Sequence, residues 1–234
     1  MQLFYNPNID ETTETFSFDK EESRHIIKVL RKKDADILYV TNGLGLLFET
    51  EITLASDNKC IVEVRSIQKS TEPKFYLHLA VAPTKMNDRF EWFLEKATEI
   101  GIQEITPIIC DRSERKVINK ERFEKIILSA MKQSNETYLP KLNEAVSFKE
   151  FLKQKNEGLQ FIAHCEETDK KSLKEALKQN QNVTLLIGPE GDFSEKEIAL
   201  ALENKFQPVT LGNTRLRTET AAVVACHSVV FFNE

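Results

Sequence analysis

The chain has 234 residues, of which 41% are hydrophobic, enough for one large domain or two smaller ones with well-packed cores. Its formal net charge of −5 argues against a protein whose whole surface attracts nucleic acid, although local basic patches are not excluded. The first residues show no signal-peptide pattern, and no apolar run approaches the roughly 18 residues of a membrane span. We therefore expect a cytoplasmic protein that does not bind membranes. The four cysteines lie far apart without a C-x-x-C pair, so we expect reduced thiols and no metal site.

The pattern of residues 1–72 predicts a small antiparallel β-barrel with one inserted helix. Three β-branched or alternating segments, DILYVTN, LLFETEITLA and KCIVEVRSIQK, are separated by Asn-Gly and Ser-Asp-Asn turns. The inserted helix, RHIIKVLRKK, is basic and contains no acidic residue. Ile26, Ile27, Val29 and Leu30 alternate with its charges, so we expect them to pack inward while the basic side chains face solvent.

Residues 73–234 alternate between predicted strands and helices, a pattern typical of a mostly parallel sheet covered by helices. The strands are FYLHLAVAP, ITPIIC, LQFIAH and VTLLI. The helix MNDRFEWFLEKATEIG ends at Gly101. Its expected inner face consists of Met86, Phe90, Phe93, Leu94, Ala97 and Ile100. In such sheets ligands bind beyond the carboxyl ends of the strands, where the loops after Ile187 and Leu211 fall.

The last predicted helix, TETAAVVACHSVVFF, is apolar nearly all round. A helix of this kind needs partners on every side, and Thr218 is the expected N-cap. His78, His164 and His227 lie in apolar stretches, so we expect all three to occupy core positions.

The loop in TLLIGPEGDFSEKEI joins a predicted strand to a helix that begins with an S-x-x-E capping box, Ser194 and Glu197. Phe193 and Ile198 stand where a hydrophobic staple would lie. Because the cap satisfies the first amides of that helix, and because Glu190 and Asp192 add negative charge, a phosphate is disfavoured here. An uncharged or cationic ligand fits the loop better.

The second loop, LGNTRLRTETAA, carries Gly212 directly after a strand and two arginines, Arg215 and Arg217. One interpretation is a plain turn whose arginines pair with Glu190, Asp192 or Glu219. The other is that this loop and the first one form two walls of a single ligand site. Both loops follow strands of the same predicted sheet, which favours the second interpretation.

Four segments together make a specific resemblance: IGPEGDFSEKEI, LGNTRLRTETA, KMNDRFEWFLEKATEIGIQEITPIICDRSERK and RHIIKVLRKKDAD. In order and content they resemble the ribosomal RNA small subunit methyltransferase E family. The resemblance implies an α/β protein of the SPOUT class, with an N-terminal PUA-like small β-barrel (residues 1–72) and a C-terminal trefoil-knotted methyltransferase domain (residues 73–234). It also implies a homodimer, S-adenosylmethionine as methyl donor, and 3-methyluridine formed at one position near the 3′ end of 16S rRNA in the small ribosomal subunit.

The same resemblance assigns site residues. The implied cofactor contacts are Ile187, Gly188, Pro189, Glu190, Gly191, Leu211, Gly212, Leu216 and Arg217. Arg217, which is always charged, is expected to stabilise the uracil anion, and Glu190 is the candidate base. The implied RNA contacts are Arg24, His25, Lys28, Arg31, Lys85, Arg112 and Arg115.

The sequence departs from the family pattern at two places. Asp192 stands where the family usually has a second glycine, and Asn135 and Glu136 replace a glycine and an arginine. Two other functions stay open at this level: a SPOUT methyltransferase acting on tRNA or on a ribose 2′-hydroxyl, and a catalytically silent RNA-binding factor of ribosome assembly. The presence of both glycine loops counts against the silent factor, which would not need them.

Reversing the charge of Arg24 and Arg31 to glutamate is expected to weaken RNA binding more at low than at high salt, because these side chains are expected to contact phosphates. Fluorescence anisotropy with labelled RNA over a range of KCl concentrations measures this. The matched control reverses Lys174 and Lys178 in the other predicted domain, with the same change in net charge. A loss of cofactor affinity instead of RNA affinity would contradict the domain assignment.

Overall fold

The computed structural model describes residues 1–155, 157–167 and 169–234, which form two compact units. The first unit contains Met1–Glu72 together with Met131–Leu139. The second contains Pro73–Ala130 and Pro140–Glu234. The grouping of Met131–Leu139 with the N-terminal residues had no signal in the sequence.

The first unit is a five-stranded sheet with one short helical segment. Its elements are β1 (Leu3–Tyr5), β2 (Thr15–Ser17), α1 (Lys20–Arg24), a π-helical turn (His25–Val29), β3 (Ile37–Thr41), β4 (Leu46–Leu54) and β5 (Ile61–Lys69). The strand order is β1-β3-β4-β5-β2. The three expected strands are confirmed as β3, β4 and β5, which pair antiparallel, whereas β1 pairs parallel with β3.

The basic helix packs on this sheet differently from the expected pattern. Ile26 is fully buried, and Ile27 and Leu30 pack against the same core cluster. Val29, expected to face inward, is 67% exposed. The reason is the π-helical turn, in which Leu30 N–H donates to His25 O. This longer hydrogen-bond spacing widens the turn and rotates Val29 out of the buried stripe.

The second unit is an eight-stranded parallel sheet with helices. Its elements are β6 (Leu77–Val81), α2 (Asn87–Ile100), β7 (Glu104–Ile109), α3 (Lys120–Ser134), β8 (Lys141–Leu142), β9 (Val146–Ser147), α4 (Phe148–Leu152), β10 (Leu159–Ala163), β11 (Lys171–Ser172), α5 (Leu173–Ala176), β12 (Val183–Ile187), α6 (Glu195–Glu203), β13 (Gln207–Thr210) and α7 (Thr218–Asn233). The residues of α3 from Met131 onward are grouped with the first unit. The strand order is β11-β13-β10-β12-β6-β7-β8, and β9 pairs with β7.

The predicted parallel α/β architecture is confirmed. All five residues of β6 and of β12 are buried, as expected for strands covered on both faces. The predicted capping box Ser194–Glu197 starts α6, and the same S-x-x-E pattern starts α4 and α5. Gly101 ends α2 in the left-handed conformation, with φ of 102°. The trefoil knot stays a prediction.

Three side-chain placements differ from the expectation. Met86 is exposed because it precedes the first turn of α2 instead of lying on its inner face. His78 and His164 are buried as expected, but His227 is exposed and stacks on Phe231 with ring centroids 5.6 Å apart. Helix α7 therefore buries only one of its faces within the chain, and the core position predicted for His227 was wrong.

Candidate functional site

Two adjoining cavities lie at the carboxyl ends of β10, β12 and β13. The smaller one, of about 320 Å³, lies beside the loop after β12, and the larger one, of about 410 Å³, lies beside the loop after β13. They share five lining residues: Ala163, Cys165, Arg215, Leu216 and Ala221. The two loops expected to form one site are thus brought together, and the loop after β10 stands between them.

Eight of the nine implied cofactor residues line these cavities. The smaller cavity has Ile187, Gly188, Pro189, Glu190, Leu216 and Arg217. The larger has Leu211 and Gly212, and again Leu216. Gly191 lies in the same loop but does not line either cavity, and its carbonyl accepts a hydrogen bond from Arg112 Nη1 at 3.0 Å.

Sequence reasoning missed the third wall, which Ala163, His164, Cys165 and Lys170 supply. Strand β10 lies between β13 and β12, so the loop that follows it must emerge between the two predicted loops. The order of the strands would have revealed this segment, but hydrophobic periodicity carries no information on strand order. Asp192 and Thr218 also line the smaller cavity.

The two glycines of the loop after β12 differ in how closely the protein packs around them. A Cβ on Gly188 would lie 3.0 Å from Cδ2 of Phe193, whose ring is fully buried. A Cβ on Gly191 would meet the side chain of Arg112 at 3.4 Å. Gly212, by contrast, has open space around it. Glycine is required there because the backbone φ of 144° is a conformation that other residues rarely adopt.

Side chains and backbone groups from three other strand ends hold the loop after β12 in place. Glu190 Oε1 accepts a hydrogen bond from Lys85 N–H at 2.9 Å, after β6. Arg112, after β7, donates from Nη1 to the carbonyls of Gly191 and Phe193. Asp192 Oδ2 accepts from Cys165 N–H at 2.8 Å, after β10. The loop is therefore fixed by charged side chains that bind backbone groups.

The start of α6 is closed to an anionic ligand. Glu197, only 3% exposed, accepts from Ser194 N–H through Oε2 and from Asp111 N–H through Oε1. The Ser194 hydroxyl caps Glu197 N–H and also donates to Asp111 Oδ2 at 2.8 Å. The first turn of the helix is thus satisfied from within and surrounded by carboxylates, as the sequence predicted.

Arg217 precedes the first residue of α7 and lies exposed at the smaller cavity. Its side chain forms no hydrogen bond or ion pair with the residues that the structure describes. The alternative in which Arg217 pairs with Glu219 does not occur. Glu219 Oε1 instead lies 3.8 Å from Arg89 Nε. Its guanidinium is thus available to a ligand.

Thr218 does not cap α7, contrary to the expectation. Arg217 occupies the N-cap position, and its carbonyl accepts from Ala221 N–H at 2.7 Å. The Thr218 hydroxyl instead donates to Gly188 O at 3.1 Å. Because Thr218 is already the first helical residue, its side chain points back to the loop after β12 and ties that loop to α7.

Burial shifts the pKa of two side chains in the loop after β10, His164 and Cys165. It lowers the pKa of the His164 imidazole, an effect to which the Lys170 ammonium adds. Both ring nitrogens of His164 are buried and have no hydrogen-bond partner within the described ranges. Burial, reinforced by Asp192, raises the pKa of the Cys165 thiol. A protonated thiol is a poor nucleophile, so nothing here indicates cysteine catalysis.

The implied RNA contacts fall into two groups, one in each unit. Arg24, Lys28 and Arg31 are exposed on the first unit, and Lys28 Nζ lies 3.4 Å from Asp57. His25 is half-buried, with Nδ1 3.5 Å from Glu22 Oε1.

In the second unit, the three implied RNA contacts lie beside the loop after β12. Lys85 Nζ pairs with Glu114 at 2.7 Å, and Arg115 Nη2 donates to Lys85 O at 2.7 Å. Arg112 holds the carbonyls of Gly191 and Phe193. All three therefore have intramolecular partners, and Arg112 and Arg115 use theirs to brace backbone.

Comparison with known proteins gives the family. An RNA methyltransferase domain model matches residues 71–230, and an RNA methyltransferase PUA domain model matches residues 18–65. The ribosomal RNA small subunit methyltransferase E of Buchnera aphidicola (subsp. Acyrthosiphon pisum) is 33% identical over 222 residues, covering 90% of this chain and 85% of that protein. The chain belongs to the ribosomal RNA small subunit methyltransferase E family.

Two solved structures share the family architecture over nearly the whole chain. A "probable rRNA-methyltransferase" from Porphyromonas gingivalis is 38% identical, with a TM-score of 0.89 over 97% of this chain and 95% of that one. The methyltransferase E of Neisseria gonorrhoeae, solved with bound S-adenosylmethionine, is 26% identical with a TM-score of 0.84 over the same shares. The PUA domain and the parallel-sheet methyltransferase domain are thus features of this family that the chain has.

The described residues contain neither a membrane-spanning helix nor a cluster of metal-binding side chains. None of the helices within them is long and apolar enough to cross a membrane. In the same residues no group of three or more His, Cys, Asp or Glu side chains is placed to hold a metal ion.

Replacing Gly188 by alanine is expected to lower the free energy of unfolding by about 1–3 kcal/mol, because the added methyl would overlap the buried Phe193 ring. The matched control is Gly191→Ala in the same loop, where the methyl meets Arg112 at ordinary contact distance. Urea unfolding of both variants measures the difference. Equal losses would contradict the packing role assigned to Gly188.

Proposed function

We propose that this chain methylates N3 of a specific uridine near the 3′ end of 16S rRNA in the small ribosomal subunit, with S-adenosylmethionine as the methyl donor. Family membership supports methyl transfer to RNA, and the relatives' names support the small subunit as substrate. The observation that carries the proposal is the two-part cavity, into which an unpaired arginine and two glycine loops are brought. Its setting is the cytoplasm, where ribosomal subunits are found.

The cavity fits the proposed cofactor in charge and shape. Apolar walls from Ile187, Leu216 and Ala221 suit the ring and methylene parts, and the Glu190 carboxylate suits a cationic sulfonium or an amino group. The cofactor has no phosphates, in agreement with the closed start of α6. The bound cofactor supplies an electrophilic methyl group on a sulfur that leaves with the bonding electrons.

The remaining chemistry falls to the protein. N3 of uracil carries a proton and becomes a good nucleophile only when that proton is lost. Arg217, charged and unpaired at the smaller cavity, is placed to stabilise the negative charge that develops on the uracil carbonyls. Glu190 is the candidate acceptor of the proton, through Oε2, because Oε1 already binds Lys85 N–H.

RNA binding is assigned to both units. Residues 1–72, with Arg24, His25, Lys28 and Arg31, would hold the RNA backbone, and residues 73–234 would carry out methyl transfer. Lys85 and Arg115 would add phosphate contacts near the cavity, with Arg112 acting mainly as a brace. The target uridine must leave its stack to reach the cavity.

We also propose that the chain forms a homodimer through the exposed face of α7. Phe231 is 68% exposed and stacks on His227, and Val223 and Val224 on the same helix are only partly buried. An apolar helix face of this kind is typical of a surface that another subunit covers.

Replacing Phe231 by glutamate is expected to shift a dimer toward monomer, because the new charge would be buried at the subunit contact. Sedimentation equilibrium measures the shift. Leu54→Glu, at an exposed apolar position at the end of β4, is the control and should leave the association state unchanged. A monomeric wild-type protein would contradict the dimer.

The function itself is tested by incubating the protein and radiolabelled S-adenosylmethionine with intact small subunits, naked rRNA or tRNA, followed by nucleoside analysis. Label in 3-methyluridine from the small subunit or its rRNA is the expected result. Label in tRNA or in a 2′-O-methyl nucleoside would contradict the proposal in favour of another RNA target. RNA binding without label would indicate an assembly factor.

Arg217→Ala is expected to lower kcat by roughly 100- to 1,000-fold, the cost of removing a group that stabilises a developing negative charge. Arg217→Lys keeps the charge without the planar fork and should fall between the alanine variant and the wild type. Single-turnover methylation, with thermal unfolding and cofactor titration as controls for fold and binding, makes the comparison. Unchanged methylation by the alanine variant would remove Arg217 from the catalytic residues.

A further inference from the structure

Asp192 adopts a backbone conformation that side chains rarely take. Its φ is 64°, in the left-handed region, where a residue other than glycine costs about 1–2 kcal/mol and where Asp and Asn are over-represented. Its N–H donates to Pro189 O at 2.9 Å, which closes a tight turn. The protein thus keeps a carboxylate at a position where glycine would fit without strain.

The Asp192 carboxylate links the loops after β10 and β12, beyond the point where these two strands stop pairing. Strands β10 and β12 are in parallel register up to Ala163 and Ile187, the last pair of their ladder. Beyond that pair, Asp192 Oδ2 accepts from Cys165 N–H at 2.8 Å, and Oδ1 accepts from Phe193 N–H at 2.9 Å. The contact between the two chain segments therefore continues past the end of the sheet.

The position of this hydrogen bond relates it to the ligand site. Asp192 and Cys165 both line the smaller cavity, and Cys165 lines the larger one as well. If the bond were absent, the loop after β10 would lose its hydrogen bond to the loop after β12, and the two cavity walls would separate more easily. A ligand would then have to order these walls when it binds, at a cost in affinity.

We infer that Asp192 is a positioning residue that keeps the walls of the cofactor cavity at a fixed separation through its hydrogen bond to Cys165 N–H. This inference rests on the proposed function, because the cavity is taken as the site of S-adenosylmethionine. Asp192 is expected to affect the affinity for the cofactor and not the rate of the methyl-transfer step. The side chain acts through the bond to the loop, so its charge as such is not required.

The test measures dissociation constants for S-adenosylmethionine and for its product S-adenosylhomocysteine, which lacks the positive sulfur, by calorimetry. Asp192→Ala is expected to weaken both about tenfold, equivalent to about 1.4 kcal/mol. Asp192→Asn, whose amide oxygen can accept the same hydrogen bond, should recover affinity to within about threefold of the wild type. At saturating cofactor, kcat should change less than about twofold in either variant.

Hydrogen exchange at the Cys165 amide gives a readout that needs no ligand. The exchange rate is expected to rise in the alanine variant and to return toward the wild-type value in the asparagine variant. Glu195→Gln, an exposed carboxylate three residues further along the same segment, is the matched control and should change neither affinity nor Cys165 exchange.

Three results would overturn the inference. Unchanged affinity in the alanine variant would show that the bond does not organise the cavity. An asparagine variant as weak as alanine, or a loss confined to S-adenosylmethionine, would assign Asp192 to charge recognition of the sulfonium instead. Wild-type protein that bound neither compound would contradict the proposed cofactor, and Cys165 exchange would still test the positioning role by itself.

Discussion

The candidate site depends on the parallel ladder between β10 and β12. The two strands pair in register over five residues and end together at Ala163 and Ile187. Strands β13 and β6 flank them, so the loops after these four strands leave the sheet at one edge. Both cavities, the unpaired arginine and the two carboxylates of the loop after β12 lie at this edge. The apolar character of the strands is therefore what positions the polar residues.

Charged side chains near the loop after β12 mostly hold backbone groups. Glu190 binds an amide after β6, Asp192 binds one after β10, and Arg112 binds two carbonyls of the loop itself. Such charge-assisted bonds are stronger than neutral ones and fix the loop without the cost of burying an unpaired charge. Arg217 differs from them because its guanidinium forms no hydrogen bond or ion pair with the described residues. A charge left available in this way can act on a substrate.

The sequence predicted the parts that local patterns encode. Apolar runs located β6, β7, β10 and β12, the S-x-x-E box located the start of α6, and Gly101 the end of α2. The wall formed after β10 was missed because strand order depends on tertiary pairing. Val29 was misplaced because a π-helical turn is not visible in a 3.6-residue period. The N-cap of α7 was predicted at Thr218, one residue too late. The Thr218 hydroxyl bonds to Gly188 O, 30 residues away in the sequence, and a local pattern cannot show such a contact.

Helix α7 links the cavity to the exposed apolar face. Arg217 occupies its N-cap position, Thr218 ties its first turn to Gly188, and Phe231 lies near its other end. Its 16 residues form one continuous element, and α7 also packs against α2, β6 and β12. A subunit that covered Phe231, as proposed, would contact the same helix that begins directly after Arg217. The proposed catalytic arginine and the proposed subunit contact therefore belong to one helix and lie near its opposite ends.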